Sequence, residues 1–557
     1  MSYSAWSEAF KKHTTQYDYY IFNEDDYFFI ENNWDRYLTN KYNSYPDCGY
    51  LCPIMREPHY WNQFRKHAGH SVGIASTKNI LKLKNGLPHS TPTDYTTTEE
   101  IQKQFSFSFL EAGLNIYDIR DDYRVAFAWT EDDGNDIWRF FWWNEKDLIQ
   151  PAIDMAREGF KVTNKQAIAL NLTRKLFEKA NNYKVLFDKE WKKGALLKQE
   201  ELAQTLERIR DHGQDGFYKG KTAQLFVDYV KELGGIISLE DLEKYKAIWR
   251  KPIEFNYKNH KIISMTLPAS GGICLAQILK SIEPFDLTKI AHNSSKYVQL
   301  LTEAERRSYA DRAHYLGDID FINVPIDSLI ATLYIKKRMN SFNWNKATKS
   351  SEVSHGAILG HESDQTTHYS IVDQFGNAVS VTTTLNTGYG SKVLVKGAGF
   401  FLNNEMDDFS AKPGAPNVYG LVGSKANAIA PEKRMLSSMT PTIVEKDGKL
   451  KMVLGTPGGS TIITSVLQNI INIVDYKMGM QESVNKARFH HQWLPDNIRM
   501  ESNGFDSITK GNLTALGYEL VERNSLIIGR VDAILLLPNG KLEGGADPRG
   551  DDKAVGF

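Results

Sequence analysis

The sequence predicts an α+β fold, and three observations lead there. From Leu148 to about Tyr245 apolar residues recur at helical spacing, beyond Pro252 short strand-like runs appear, and from Thr366 onward strands alternate with two helices. A chain of 557 residues has room for several domains and ample core. Its first 145 residues differ in texture, holding 31 of the 65 aromatic residues, which sets a module boundary near Trp143–Asp147.

Within that first module, Tyr123–Thr130 and Asp136–Trp143 read as two strands joined by the turn-forming Glu131–Asn135. Its aromatic residues are read as core in preference to a sugar- or peptide-binding face. Pro151–Gly159 opens with proline and closes with glycine, the order a helix favours. Gln199–Asp211 and Thr222–Leu233 carry apolar residues three and four apart, and Gly234-Gly235 stops the second. Ser238-Leu-Glu-Asp241 is a capping box ahead of a short helix. Strands are predicted over Ile253–Tyr257 and Lys261–Met265, and Pro268–Gly272 leads into an apolar helix, Ile273–Ile282. Ile462–Val474, interrupted by Ser465, Gln468, Asn469 and Asn472, reads as a buried or half-buried helix. Ile527–Leu537 followed by Pro538–Lys541 reads as a strand running into a hairpin turn.

The bulk numbers exclude several classes. A net charge of −1 gives no general attraction to nucleic acid or anionic membranes. No apolar run reaches membrane-spanning length, and the opening residues show no basic region followed by an apolar stretch, so neither a membrane span nor an export signal is expected. Cys48, Cys52 and Cys274 cannot form a disulfide framework. Cys48-Gly-Tyr-Leu-Cys52 has the spacing of half a zinc site, but no second pair follows, and ordinary thiols are the preferred reading.

Chemistry concentrates around Thr366. Thr366–Val372 reads as a strand, Asp373–Asn377 as a turn and Ala378–Thr384 as the returning strand, which brings the Thr384 hydroxyl back toward Thr366. His355–Gln365, polar and with two glycines, suits an exposed linker. Taken alone, threonine-rich strands express β-propensity more often than catalysis.

Longer blocks extend the pattern: Thr366-Thr-His-Tyr-Ser370, Thr384-Leu-Asn-Thr387, Leu402–Ser410, Pro416–Val422, Leu436–Met439, Pro457-Gly-Gly-Ser460 and Asp547-Pro-Arg549. Through these blocks, from about Leu148 to Phe557, the chain resembles the gamma-glutamyltransferase (gamma-glutamyltranspeptidase) family. The resemblance implies a four-layer αββα N-terminal-nucleophile hydrolase sandwich whose precursor cuts itself before Thr366. The parts would be an aromatic-rich module (1–145), a helical large-subunit-like part ending in the linker (146–365) and a small-subunit-like catalytic part (366–557), the last two remaining together as a heterodimer of fragments.

The implied roles fall position by position. Thr366 matches the nucleophile, and its freed α-amino group, titrating near 8, would be the adjacent base. Thr384 matches the hydroxyl that steadies it. Gly458 and Gly459 match the oxyanion-hole amides, which a glycine turn between a strand (Lys451–Gly455) and a helix also suggests. Asn386, Glu405 and Asp408 match the group that holds the substrate α-ammonium, Ser437 and Ser438 the hydroxyls on its α-carboxylate, and Tyr419, within Pro413–Gly423, a lid-like loop. The implied reaction is γ-glutamyl transfer from glutathione or a related donor to water or to an amino-acid or dipeptide acceptor, with no metal and no cofactor. His490-His491 is read as structural because the amino terminus already supplies a base.

Residues 1–145 do not resemble the family's leading segment, which carries core strands and an arginine that grips the α-carboxylate. Unpaired edges and exposed apolar surface are therefore expected, with Arg56, Arg120 or Arg124 as possible replacements for the arginine. The competing reading is an unprocessed, inactive homologue whose first module binds a partner. Family members are usually periplasmic or extracellular, against the missing export signal.

Overall fold

The computed structural model describes residues 145–353, 366–410, 424–523 and 527–556, together with the backbone of short strands at 19–23, 27–28, 48–52, 55–56, 67–68, 72–76, 115–118, 126–132 and 135–141. The linker before Thr366, the lid-like loop with Tyr419, Arg120, Arg124 and the side chain of Arg56 lie outside the described residues. The expected aromatic-module hairpin is present: Ala126–Asp132 pairs antiparallel with Asn135–Phe141, Asp132 opposite Asn135 across the turn.

The chain forms two compact units. One comprises Met1–Phe160 with Lys198–Ala223, the other Lys161–Leu197 with Gln224–Phe557. In the first, helices Glu145–Glu158 and Glu200–His212 bury Ile153, Ala156 and Ala203 against each other, with Ile149 and Leu206 packed alongside. Here one expectation is corrected. The first helix does not start at Pro151 but six residues earlier, with Pro151 in its interior. Proline is favoured in a first turn but tolerated later when packing outweighs one lost backbone bond. The expected stop holds, with Gly159 at φ 89°.

The second unit is built on a six-stranded antiparallel sheet. Its strands are β1 (Ile253–Tyr257), β2 (His260–Ser264), β5 (Thr442–Lys446), β6 (Lys449–Gly455), β7 (Asp532–Leu536) and β8 (Leu542–Gly545), adjacent in that order. On β1 Ile253, Phe255 and Tyr257 point inward and the residues between them outward, the period-two alternation of a half-buried strand. Helices α1 (Gly271–Ile282), α2 (Ser295–Tyr315) and α3 (Thr461–Val474) join these strands in one continuous core. Every residue of α3 is buried. Its polar interruptions are satisfied: Thr464 Oγ1 meets His490 Nδ1 at 2.8 Å, Gln468 donates to the Phe489 carbonyl at 2.7 Å, and Asn469 accepts from Ser483 at 2.7 Å. Of the two readings, buried or half-buried, the helix takes the first.

A separate two-stranded sheet, β3 (Thr367–Val372) with β4 (Ala378–Thr383), lies on the six-stranded sheet. Ser380 Oγ donates to the Leu454 carbonyl (3.0 Å) and accepts from Thr442 N–H (3.1 Å), while Ser370 Oγ donates to the Asp532 carbonyl (3.2 Å). The polarity of this hairpin is inverted. His368, Ser370 and Ser380 face the protein, whereas Tyr369, Ile371 and Val379 are 47%, 52% and 47% exposed. Helices, sheet and hairpin are three layers of the expected αββα sandwich, and among the described residues no helix covers the apolar outer face of the hairpin.

Candidate active site

Thr366 immediately precedes β3 and is half-buried. Its Oγ1 donates to Thr384 Oγ1 at 3.3 Å, and Thr384 Oγ1 also accepts the Asn386 N–H at 2.7 Å. Asn386 adopts φ 75°, a left-handed conformation that asparagine tolerates better than most residues and that turns its N–H back onto Thr384. From there a chain of short bonds leads to the acidic group. Asn386 Nδ2 donates to the Asn404 carbonyl (3.2 Å), and Asn404 Oδ1 accepts from Thr387 N–H (3.2 Å) and Thr387 Oγ1 (3.0 Å). Asn404 opens the 3-10 turn Glu405–Asp408.

Burial pushes the Glu405 carboxyl up to about 7. Burial and then the neighbouring Glu405 push Asp408 up to about 8, against the opposing influence of Arg312. Burial of both, and at Asp408 the neighbouring carboxyl, thus disfavour their ionised forms. Asn427 ties this turn to the serine pair: its Nδ2 donates to the Asp408 carbonyl (2.7 Å) and its Oδ1 accepts from Leu436 N–H (3.0 Å). Ser437 N–H donates to the Pro268 carbonyl (2.8 Å), and Ser438 Oγ accepts from Arg312 Nη2 (2.9 Å).

The glycine turn lies at the end of β6. The His368 ring rests directly on Gly455, where a Cβ would stand 2.3 Å from His368 Cε1. Burial lowers this imidazole to about 4, so it is neutral at ordinary pH, with Thr382 Oγ1 at 2.9 Å from Nδ1 and Ser370 Oγ at 3.0 Å from Nε2. Residue 366 therefore lies over the C-terminal end of β6, where the chain continues to Gly458 and Gly459, at φ 137° and 55°. A Cβ on Gly458 would come 2.5 Å from Thr461 Oγ1. The Gly458 carbonyl turns inward to accept from Thr461 N–H (3.0 Å) and the Gly459 carbonyl from Ile462 N–H (3.2 Å). Neither glycine N–H has an acceptor among the described residues, although Gly458 is buried. A buried N–H without a partner is rare unless something else arrives to accept from it.

Behind the turn, Ser460 is held by Tyr309 Oη to its carbonyl (2.5 Å) and by its own Oγ to Gln492 Oε1 (2.7 Å) and His490 (3.3 Å). His490 and His491 are both buried, and burial lowers both imidazoles, His491 to about 4. Thr366, Thr384 and Asn386 thus share one bonded network with Asn404, which opens the turn carrying Glu405 and Asp408; Asn427 joins the Asp408 backbone to Leu436, next to Ser437 and Ser438, and Gly458 and Gly459 follow Gly455, on which His368 rests. His368, Asn404, Asn427, Tyr309 and Arg312 were not singled out from sequence. Asn404 and His368 stand inside the matching blocks and were findable there; Arg312 sits on a helix whose charges look solvated. Among the described residues no cluster of His, Cys, Asp or Glu is arranged to hold a metal, and no helix is long and apolar enough to cross a membrane.

Comparison with known proteins places the chain in a family. The family model described as gamma-glutamyltranspeptidase matches residues 139–557. The glutathione hydrolase proenzyme of Escherichia coli is 46% identical over 415 residues, covering 74% of this chain and 71% of that protein. The glutathione hydrolase proenzyme of Pseudomonas aeruginosa is 46% identical over 413 residues, 73% of this chain and 72% of that one. A crystal structure of cephalosporin acylase from Bacillus halodurans superposes with a TM-score of 0.64 over 74% of each chain, at 22% identity, a likeness of fold alone. With three-quarters of its length accounted for in this way, the chain belongs to the gamma-glutamyltranspeptidase family.

Proposed function

We propose that the chain cuts itself between Gln365 and Thr366 and then acts as a gamma-glutamyltransferase and glutathione hydrolase. Thr366 Oγ1 attacks the γ-carbonyl of glutathione or a related donor, with the new α-amino group taking its proton. The amide C–N bond breaks and the amine leaves with that proton. Water, or an acceptor amino acid or dipeptide, then attacks the ester and releases glutamate or the new γ-glutamyl compound. Asn386, Glu405 and Asp408 hold the donor's α-ammonium, Ser437 and Ser438 its α-carboxylate, and Tyr419 belongs to the loop over the site.

The observation that carries this reading is the pair of N–H groups on Gly458 and Gly459, one of them buried, left without acceptors among the described residues just past β6, the strand on which the one following Thr366 is packed. Donors of this kind aimed at a developing oxyanion supply a large share of acyl-transfer catalysis. The relatives' description as proenzymes supports self-cleavage. No observation among the described residues favours the inactive-homologue reading. The test is intact mass under denaturing conditions: fragments of 365 and 192 residues are expected, the second starting at threonine. Thr366→Ala should stay whole and release no amine from a γ-glutamyl anilide. A wild-type chain that remained intact on prolonged incubation would overturn the proposal.

A further inference from the structure

Helix α2 buries an unusual density of charge, and most of it is paired. Arg307 bonds Glu303 at 2.7 Å, Arg338 reaches Asp311 at 2.9 Å, and Arg306 meets Asp496. Arg312 breaks the pattern. It is 3% exposed, yet among the described residues no carboxylate lies within 4.0 Å of its guanidinium. Its two bonds go to neutral hydroxyls: Nε to Ser270 Oγ and Nη2 to Ser438 Oγ, both at 2.9 Å. A buried cation without a counter-charge is costly, and the usual resolution is an anion that arrives with a ligand.

The neighbours say where such an anion would settle. Ser438 Oγ accepts from Arg312 and has no acceptor for its own proton among the described residues, so that proton is free to point at a ligand. Ser270, the other partner of Arg312, fastens the same segment from behind, its Oγ and its N–H both donating to the Ser437 carbonyl at 2.8 Å. The field of Arg312 also reaches Asp408, whose carboxyl it lowers against the push of burial. One cation therefore stands between the serine pair and the acidic pair, as an α-amino acid head group requires of its receptor.

We propose that Arg312 is the positioning residue for the α-carboxylate half of the substrate clamp. It fixes the Ser438 hydroxyl with its proton toward the substrate and supplies the positive charge against which the carboxylate settles. The proposal rests on the γ-glutamyl reading of the site. It assigns the clamp a positive charge from the part of the chain that matches the family.

The experiment compares two anilides on the full-length, self-cleaved enzyme. γ-Glutamyl-p-nitroanilide carries both head-group charges, while 4-aminobutyryl-p-nitroanilide lacks only the α-carboxylate. Arg312→Gln should lower kcat/KM for the first by roughly 10- to 100-fold, chiefly through KM, the usual worth of hydrogen bonds involving a charged group. It should leave the second nearly unchanged, and Arg312→Lys should recover part of the loss. Ser270→Ala, which removes one bond from Arg312 and one from the Ser437 carbonyl, should shift the ratio in the same direction by less, and serves if Arg312→Gln does not fold. Equal fractional losses on both anilides would reveal a merely structural arginine and overturn the proposal, as would no loss on either. A wild-type chain that stays uncut and inactive on both anilides would instead overturn the γ-glutamyl reading itself, and this role with it.

Discussion

The upward shifts at Glu405 and Asp408 make a pH dependence that the substrate's ammonium should expose. A carboxyl binds an ammonium only when ionised, and these two titrate near 7 and 8, well above an ordinary carboxylate. Both being raised, the free site is protonated at low pH and gains its charge as pH rises. As neighbours they titrate as a pair, so the apparent values belong to both. A single carboxyl with a pKa of 8 is about 1% ionised at pH 6 and half ionised at pH 8, so recognition should improve by up to ~50-fold across that interval. The Thr366 amino group, if freed, also titrates near 8 and would raise the rate for any acyl donor. Glutaryl-p-nitroanilide separates the two effects because it keeps the carboxylate and lacks the ammonium. The ratio of kcat/KM for γ-glutamyl to glutaryl anilide cancels the common base and should climb from pH 6 to 8. Asp408→Asn should flatten that climb. A ratio that stays level from pH 6 to 8 in the wild type would refute the assignment of these carboxyls to the ammonium.

Three further outcomes are expected. Gly458→Ala meets Thr461 Oγ1 at 2.5 Å and displaces a donor, so kcat for anilide hydrolysis should fall by about 10²–10³ with KM changed much less; an unaltered kcat would remove Gly458 from the oxyanion site. Thr384→Ala deletes the acceptor of both Thr366 Oγ1 and Asn386 N–H and should slow self-cleavage, followed as the intact fraction against time, by an amount equivalent to ~0.5–1.5 kcal/mol per bond. Asp547→Ala leaves Arg488, 2% exposed, without its carboxylate partner and frees Val531 N–H, so urea unfolding of the uncut chain, in a Thr366→Ala background, should show a loss of about 3–5 kcal/mol.

The local pattern of the sequence was enough for most elements that carry the site. Ile253–Tyr257 alternates strictly, Ser238 and Asp241 form their capping box, and the turn at Asp373–Asn377 lies where its residue types place it. Pro151 misled because a propensity describes isolated helices, whereas the contact of Ile153 and Ala156 with Ala203 is tertiary. The long helix Ser295–Tyr315 was unreadable for a different reason. Its run Glu303-Ala-Glu-Arg-Arg307 is mostly charged, yet Tyr297 through Arg312 are all buried. The charges are tolerated because residues remote in sequence, such as Tyr518 and Thr348 on Glu303, complete their bonds. Arg312 belongs to this group, and no local spacing distinguishes it from a surface arginine. The network through Asn404 and Asn427 is likewise a product of folding, since its members lie 9 to 19 residues from the groups they hold.

The six-stranded sheet draws β1 and β2 from before the Gln365–Thr366 bond and β5 to β8 from after it, and β2 pairs with β5 from His260–Lys446 to Ser264–Thr442. A nick at that bond would leave every backbone bond of the sheet intact while making the seam between β2 and β5 intermolecular. Folding of the precursor closes that seam within one chain; refolding of the nicked protein from denaturant would require two polypeptides to find each other first. Loss of covalent continuity would then make unfolding effectively one-way at low concentration, so that the mature protein's durability would be a matter of its unfolding rate and not of an equilibrium.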